Sequence, residues 1–385
     1  MKRFNFYIPV FNGEKFIDET LRRIEASGYL PSVRIIDDAS TDSTPNILKR
    51  WQNEKGLTVT YMRINGQKIS SIKQVLEQDD NDGRLSDYIV LHDADSFISV
   101  DHQTLDGNEK VLIAIEKAIS FMEDEGWSAM GIKDVPYIVY NESTIFESFQ
   151  YWEYVWDRAT HYWLGKAGFM RCIPGAGGIF KTKPLLEALK KHSLKHDGDD
   201  METTVLIQSL GYKVGYYSTH VLKERGYNPE DYPEIVVNTN TPRTFVRLLK
   251  QRVRWTVGAV EVYLKEGKFH LKQMWNRNRL GLQAIYEVLK LITYPGWYYA
   301  AWLYPMSVIP ISIVATGLLN TFFLIINPEY ADEHDNDKIQ MAFFLCLSFL
   351  PIGLYSFILD TIRIPLAYLN ALRNILKGLF VPLGG

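Results

Sequence analysis

Tyr88-Ile89-Val90-Leu91-His92-Asp93-Ala94-Asp95 is the stretch from which the fold is read. Its first five residues form a pattern that suits a buried strand of an α/β sheet. The pattern stops abruptly at Asp93 and Asp95. Acids at a strand end are costly unless something pairs with them. Two carboxylates one residue apart can hold a hard divalent cation, Mg2+ or Mn2+, and bridge it to a nucleotide diphosphate. A solvated turn is the competing reading, because Asp-x-Asp is common by chance.

Working upstream, Phe4 to Asn12 reads as a first strand, Asn12-Gly13-Glu14 as a turn and Phe16 to Ala26 as a helix. A second strand, Val33-Arg34-Ile35-Ile36, ends in Asp37-Asp38-Ala39-Ser40-Thr41-Asp42. Ligands of open α/β sheets gather at the carboxyl ends of strands, so Asp37 and Asp38 are placed to hold a nucleobase imide or ribose hydroxyls. Asp42, Ser43 and Thr44 before Pro45 also suit the start of a helix over Asn46 to Gln52. Lys68 precedes a helical stretch, Ser70 to Gln78. It could reach a phosphate or an acceptor hydroxyl, or be a solvated surface lysine.

Downstream, Pro174-Gly175-Ala176-Gly177-Gly178 is a small-residue loop entering a strand, suited either to close approach of a sugar or only to a tight turn. His196-Asp197-Gly198-Asp199-Asp200-Met201-Glu202 gathers four acids at the start of a helix that Gly211 should end. Acids at a helix N-terminus are favoured by the dipole alone. Gln251-Arg252-Val253-Arg254-Trp255 puts two guanidinium groups, an amide and an indole into about one helical turn. Arg forks match phosphate oxygens, and Trp offers an apolar face to a pyranose. An Arg-rich helix before an apolar stretch is also a common cytoplasmic membrane anchor.

The 385 residues exceed one average domain, and the formal net charge of -3, without a basic tract interleaved with aromatics, does not suggest nucleic-acid binding. Cys172 and Cys346 lie far apart without metal-ligand spacing, which fits a reducing cytoplasmic setting. The N-terminus runs straight into a strand with no apolar h-region, so the catalytic half is expected in the cytoplasm. Apolar strand runs alternate with amphipathic helices over 1–272, an α/β pattern with a largely parallel sheet. Over 273–385 charges thin out. Two transmembrane spans are expected, 297–326 and 339–359, with interfacial helices around them and basic flanks that place the chain as multi-pass in the cell membrane.

Taken in order, these pieces resemble the membrane-bound family-2 inverting glycosyltransferases, the group of cellulose, chitin and hyaluronan synthases. The likeness runs from Phe4 to about Gly267 and includes Pro9 to Glu14, Asp37 to Asp42, Asp93-Ala94-Asp95, Trp152-Glu153-Tyr154, Pro174 to Gly177, Gly198-Asp199-Asp200 and Gln251 to Trp255. It implies a GT-A fold, a UDP-sugar donor and β-linkage formation, with metal at Asp93 and Asp95. It also implies donor contacts from Asp37, Asp38, Lys68, Asp93, Asp95, Gln251, Arg252 and Arg254. Asp200 falls on the position of the catalytic base, and Trp255, Gly175 and Asp199 fall on the acceptor side. The acceptor would be a growing glycan, with single addition to a lipid carrier or glycolipid as the alternative. Gly198-Asp199 stands where the family usually has Glu or Thr-Glu, and the family's exporting members have more membrane segments, so either a homo-oligomer or an export partner would complete a channel, or the sequence is a short form, or the product is not exported by this chain; membrane lipid is a further expected partner.

Overall fold

The computed structural model describes residues 3–100, 110–136, 144–193, 198–228, 230–326, 353–370 and 373–374. Its first half alternates strand and helix as the hydrophobic periodicity requires: β1 (Phe4–Val10), α1 (Ile17–Ala26), β2 (Val33–Asp37), α2 (Thr44–Lys55), β3 (Thr58–Tyr61), α3 (Lys68–Asn81) and β4 (Tyr88–Leu91). These four strands are parallel, in the order β3-β2-β1-β4. Parallel pairing with helical crossovers brings the carboxyl ends of all four to one edge. Asp37 and Asp38, Lys68 and the Asp93-Ala94-Asp95 turn all arise there.

The sheet continues through β5 (Ser96–Val100), α4 (Lys110–Asp124), β6 (Ala129–Pro136), α5 (Ile145–Gly165), β7 (Gly178–Lys181), α6 (Thr182–Leu189), α7 (Asp199–Ser209), β8 (Val214–Tyr217), α8 (Thr219–Glu224) and β9 (Ile235–Thr239). Here it departs from the largely parallel expectation. β7 runs antiparallel to both β4 and β6, and β5 antiparallel to β9. β6 is shared: Ala129–Ile132 pair with β8, and Lys133–Pro136 pair with β9. The chain enters β7 through the tight Pro174–Gly177 turn, closed by the Gly177 N–H to the Pro174 carbonyl at 3.0 Å.

A polar bolt under this sheet fixes α3. Asp79, fully buried, accepts from the Tyr7 hydroxyl at 2.8 Å and pairs with Arg34 and Arg84. Burial works against its charge, yet the Arg34 and Tyr7 contacts hold it below the ordinary carboxylate range. A carboxylate in such a place is stable only when fully compensated. The bolt holds the C-terminal part of α3, whose N-terminal residue is Lys68.

Two compact bodies emerge from the chain, one of residues 1–137 and 161–240, the other of 138–160 and 241–385. This partition differs from the expected division at 272, because the start of α5 and the helix α9 (Phe245–Lys265) pair within the second body. Gln150 donates to the Pro242 carbonyl at 2.7 Å, and Phe146, Phe149 and Phe245 pack with buried Leu248, Tyr355 and Leu359. The remaining helices are α10 (Gly267–Trp275), α11 (Arg279–Leu303) and α12 (Pro305–Ile326).

The expected single span at 297–326 is corrected here. α11 ends at Leu303 and α12 begins at Pro305, with Tyr304 between them in a non-helical conformation. Proline disfavours helical backbone in the residue before it and offers no N–H to the preceding turn, so the apolar run is cut in two. Among the described residues no helix is long and apolar enough to cross a membrane. The second expected span, 339–359, lies outside the described residues up to 352; 353–359 belong to the helical stretch 353–370.

Candidate active site

At the carboxyl edge of β1 to β4 the loops hold one another in place. The Asn12 N–H donates to Ser40 Oγ at 2.9 Å and the Asn12 side chain accepts from the Thr41 N–H at 2.8 Å. Asp42 accepts from the Glu14 and Thr44 N–H groups, as a helix start requires. Asp37 and Asp38 are both 2% exposed. Asp37 accepts from the Ser40 N–H at 3.1 Å, and Asp38 accepts from the Gly66 N–H at 2.9 Å. Burial raises the Asp38 carboxyl despite the N–H groups of Gly66 and Gln67. Gln67 is held at φ 66°, ψ 162°, backbone that a residue with a Cβ rarely adopts, and Lys68 opens α3 directly after it.

Lys68 joins residues far apart in sequence. Its Nζ lies 2.8 Å from Asp93 Oδ1 and 2.9 Å from Asp200 Oδ1. Burial alone would depress the ammonium, but Asp200, Asp93 and Asp199 outweigh it and hold Lys68 well above its ordinary range. One cation serves several carboxylates. Burial, reinforced by Asp199 and Asp93 against the opposing pull of Lys68, pushes Asp200 up to about 7. Burial and the neighbouring Asp93 likewise push Asp95 up to about 6. These carboxylates are short of positive charge, which is what a bound divalent cation supplies. Asp93 and Asp95 fit two ligands of a hard cation. Among the described residues no group of three or more His, Cys, Asp or Glu is placed to hold one alone, so a diphosphate and water would complete the shell.

The helix carrying Asp200 is stitched to the glycine loop along one face. Gln208 grips both backbone groups of Met170, at 3.2 and 2.8 Å, and Thr204 Oγ1 accepts from the Ile173 N–H at 2.8 Å. Asp200, Thr204 and Gln208 stand four apart, one above the other on α7. The loop therefore ends with Gly175 against the carboxylate. A Cβ at Gly175 would lie 2.1 Å from Asp200 Oδ2 and 2.3 Å from Lys68 Nζ, so any larger residue there must push the ends of these two side chains aside. Asp199, the first residue of α7, accepts from the Asp200 N–H at 3.1 Å. Reading residue types alone misses Thr204 and Gln208. Their spacing from Asp200 was the available signal.

The remaining expected residues lie in the second body. Arg252 is 3% exposed, donates from Nη2 to Glu153 Oε2 at 2.6 Å and from Nη1 to Gln251 Oε1 at 2.6 Å, and stacks 4.2 Å from the centre of the Trp255 ring. Burial would lower its pKa, but Glu153 raises it. Arg252 is thus committed to internal partners. Trp255 is 42% exposed, and Arg254, also exposed, makes no hydrogen bond or ion pair among the described residues.

Parallel strands with crossover helices, an antiparallel second half, and acids with a lysine at the carboxyl edge define a nucleotide-sugar transferase of the GT-A kind. The chain belongs to glycosyl transferase family group 2, whose profile matches residues 88–359, and the glycosyl transferase family 2 profile matches residues 6–104. The chain is similar to poly-beta-1,6-N-acetyl-D-glucosamine synthase of Staphylococcus aureus, 24% identical over 265 residues, which cover 68% of this chain and 55% of that protein. It also resembles the poly(ribitol-phosphate) beta-N-acetylglucosaminyltransferase TarS of Staphylococcus aureus, 30% identical over 113 residues, 26% of this chain and 20% of TarS. The chain thus spans about half of one curated relative and a fifth of the other. In fold it matches the mannosyltransferase PcManGT from Pyrobaculum calidifontis in complex with GDP-Man and Mn2+, with TM-score 0.53 and 16% identity, covering 96% of this chain and 87% of that one.

Proposed function

We propose that this chain is an inverting glycosyltransferase that moves a sugar from a UDP-sugar to an acceptor hydroxyl with formation of a β-linkage, in polysaccharide synthesis. The observation that carries this reading is the Lys68 bridge between Asp93 and Asp200, closed over by Gly175. Asp200, with its carboxyl raised to about 7, suits a general base working near neutral pH. It takes the proton of the acceptor hydroxyl as that oxygen bonds to the anomeric carbon. The bond from that carbon to the diphosphate breaks on the opposite face, and UDP leaves with the electron pair.

Lys68, held beside Asp93 and Asp200, would face the departing diphosphate, where preorganised positive charge contributes most. Asp93 and Asp95 would hold Mg2+ or Mn2+, which when bound neutralises diphosphate charge. By the family resemblance Asp37 and Asp38 would contact the donor, and Gln251 and Arg254 would add polar and cationic contacts to the diphosphate. Arg252 acts through Trp255, whose exposed ring suits the acceptor sugar. N-acetylglucosamine is the favoured sugar, following the two Staphylococcus relatives. Attachment to a membrane surface is favoured by exposed apolar side chains on α10 to α12, among them Leu271, Trp275, Trp302 and Met306.

The test is incubation of the full chain with radiolabelled UDP-N-acetylglucosamine and other sugar nucleotides, with Mg2+ or Mn2+. UDP release together with high-mass product is expected. Organic-extractable product instead would mark single addition to a lipid, and no release from any sugar nucleotide would overturn the reading.

A further inference from the structure

We infer that the buried His192–Glu202 pair is a positioning device that fixes the first turn of α7 and so aims the Asp200 carboxylate. The inference rests on Asp200 acting as the base. Neither side chain has measurable exposure, and His192 Nδ1 lies 3.5 Å from Glu202 Oε2. The other ring nitrogen, Nε2, lies 3.1 Å from the Asp199 carbonyl. A carbonyl only accepts, so Nε2 carries a hydrogen and donates it. His192 therefore spans from the backbone of Asp199 to the side chain of Glu202 within one turn of the same helix.

Glu202 is fully used. Its Oε1 accepts from the Ser193 N–H at 3.1 Å, and its Oε2 accepts from Ser193 Oγ at 2.6 Å. A carboxylate out of water is costly unless compensated in this way, and an apolar pair of similar volume would stabilise as well or better. What the polar pair adds is direction. The N-cap of α7, Gly198, has no side chain to anchor the helix start. Asp199 and Glu202 lie roughly opposite the face that carries Asp200, Thr204 and Gln208. The helix is thus gripped by the 170–173 segment on the face that carries Asp200 and by His192 and Ser193 on the other.

The experiment measures kcat and donor KM of the full chain for His192→Ala, His192→Gln, Glu202→Ala and Glu202→Gln, normalised to folded protein. A misplaced base costs rate and not donor binding. We expect His192→Ala and Glu202→Ala to lose about 10- to 100-fold in kcat, with donor KM within about twofold. His192→Gln keeps an N–H for the Asp199 carbonyl and Glu202→Gln keeps an acceptor for Ser193, so both should recover to within about threefold of wild type. Wild-type kcat per folded molecule in the alanine variants, or no recovery with glutamine, overturns the inference. Where an alanine variant does not fold, the glutamine pair and its donor KM decide. Asp200→Asn run alongside separates the two levels: turnover in that variant removes the base itself, whereas an inactive Asp200→Asn beside fully active His192→Ala removes only the positioning role.

Discussion

The two bodies handle positive charge in opposite ways. In the first, the Lys68 ammonium is shared by Asp93 and Asp200, with Asp199 and Asp95 nearby, and Asp95 and Asp200 are pushed up to about 6 and about 7. In the second, the Arg252 guanidinium is paired with one carboxylate, Glu153, an amide and an aromatic face. The first cluster lacks positive charge and is ready to take it from a ligand or a proton. The second is satisfied within the body and serves to hold Trp255. An arginine in a motif is therefore no sign of a ligand site until its partners are known.

The sharpest break of this comparison is Asp200→Asn. Turnover should fall about 10³-fold or more while donor affinity, followed by calorimetry, stays near wild type. Normal turnover would leave the first cluster as an ordinary ion-pair network. Next comes Arg252→Ala, which leaves Glu153 without its buried partner. The chain should lose about 3–5 kcal/mol of stability, read from denaturant unfolding, with donor affinity unchanged in the folded fraction. A variant that folds normally but loses donor binding would move Arg252 into the ligand site.

Gly175→Ala should cost about 100-fold in kcat with normal folding, because the added methyl displaces Asp200 and Lys68 from one another. The mildest effect is on pH. The base works deprotonated, and its carboxyl sits at about 7, so kcat/KM should fall about tenfold per unit below that pH and level off above it. For stability the sign is reversed: a carboxyl raised on folding favours the folded chain at pH below the ordinary carboxylate range, and that contribution is lost as pH rises to about 7. A flat rate profile from pH 5 to 8 would point to a different base.

Much of the first body was legible. The β1, β2 and β4 runs and the start signals of α1 and α2 follow from apolar periodicity and turn residues, and the strand-end acids are located by that alone. The Lys68 bridge was not, because Lys68 at the start of α3, Asp93 after β4 and Asp200 on α7 are brought together only by the tertiary fold, which no local pattern encodes. The antiparallel β7 was hidden for the same reason. Arg252 and Arg254 look alike in sequence, and their different duties depend on Glu153, about a hundred residues away. The break at Tyr304 could have been read from Pro305, but the apolar composition on both sides masked it.

The close approach of Gly175 to Asp200 and Lys68 sets limits for redesign of substrate choice. That wall has no spare volume, so a larger side chain there cannot be used to reject or admit an acceptor without moving the acid it touches. Altered selectivity has to be introduced from other walls of the site, and Gly175 is better left as a fixed reference against which such changes are scored.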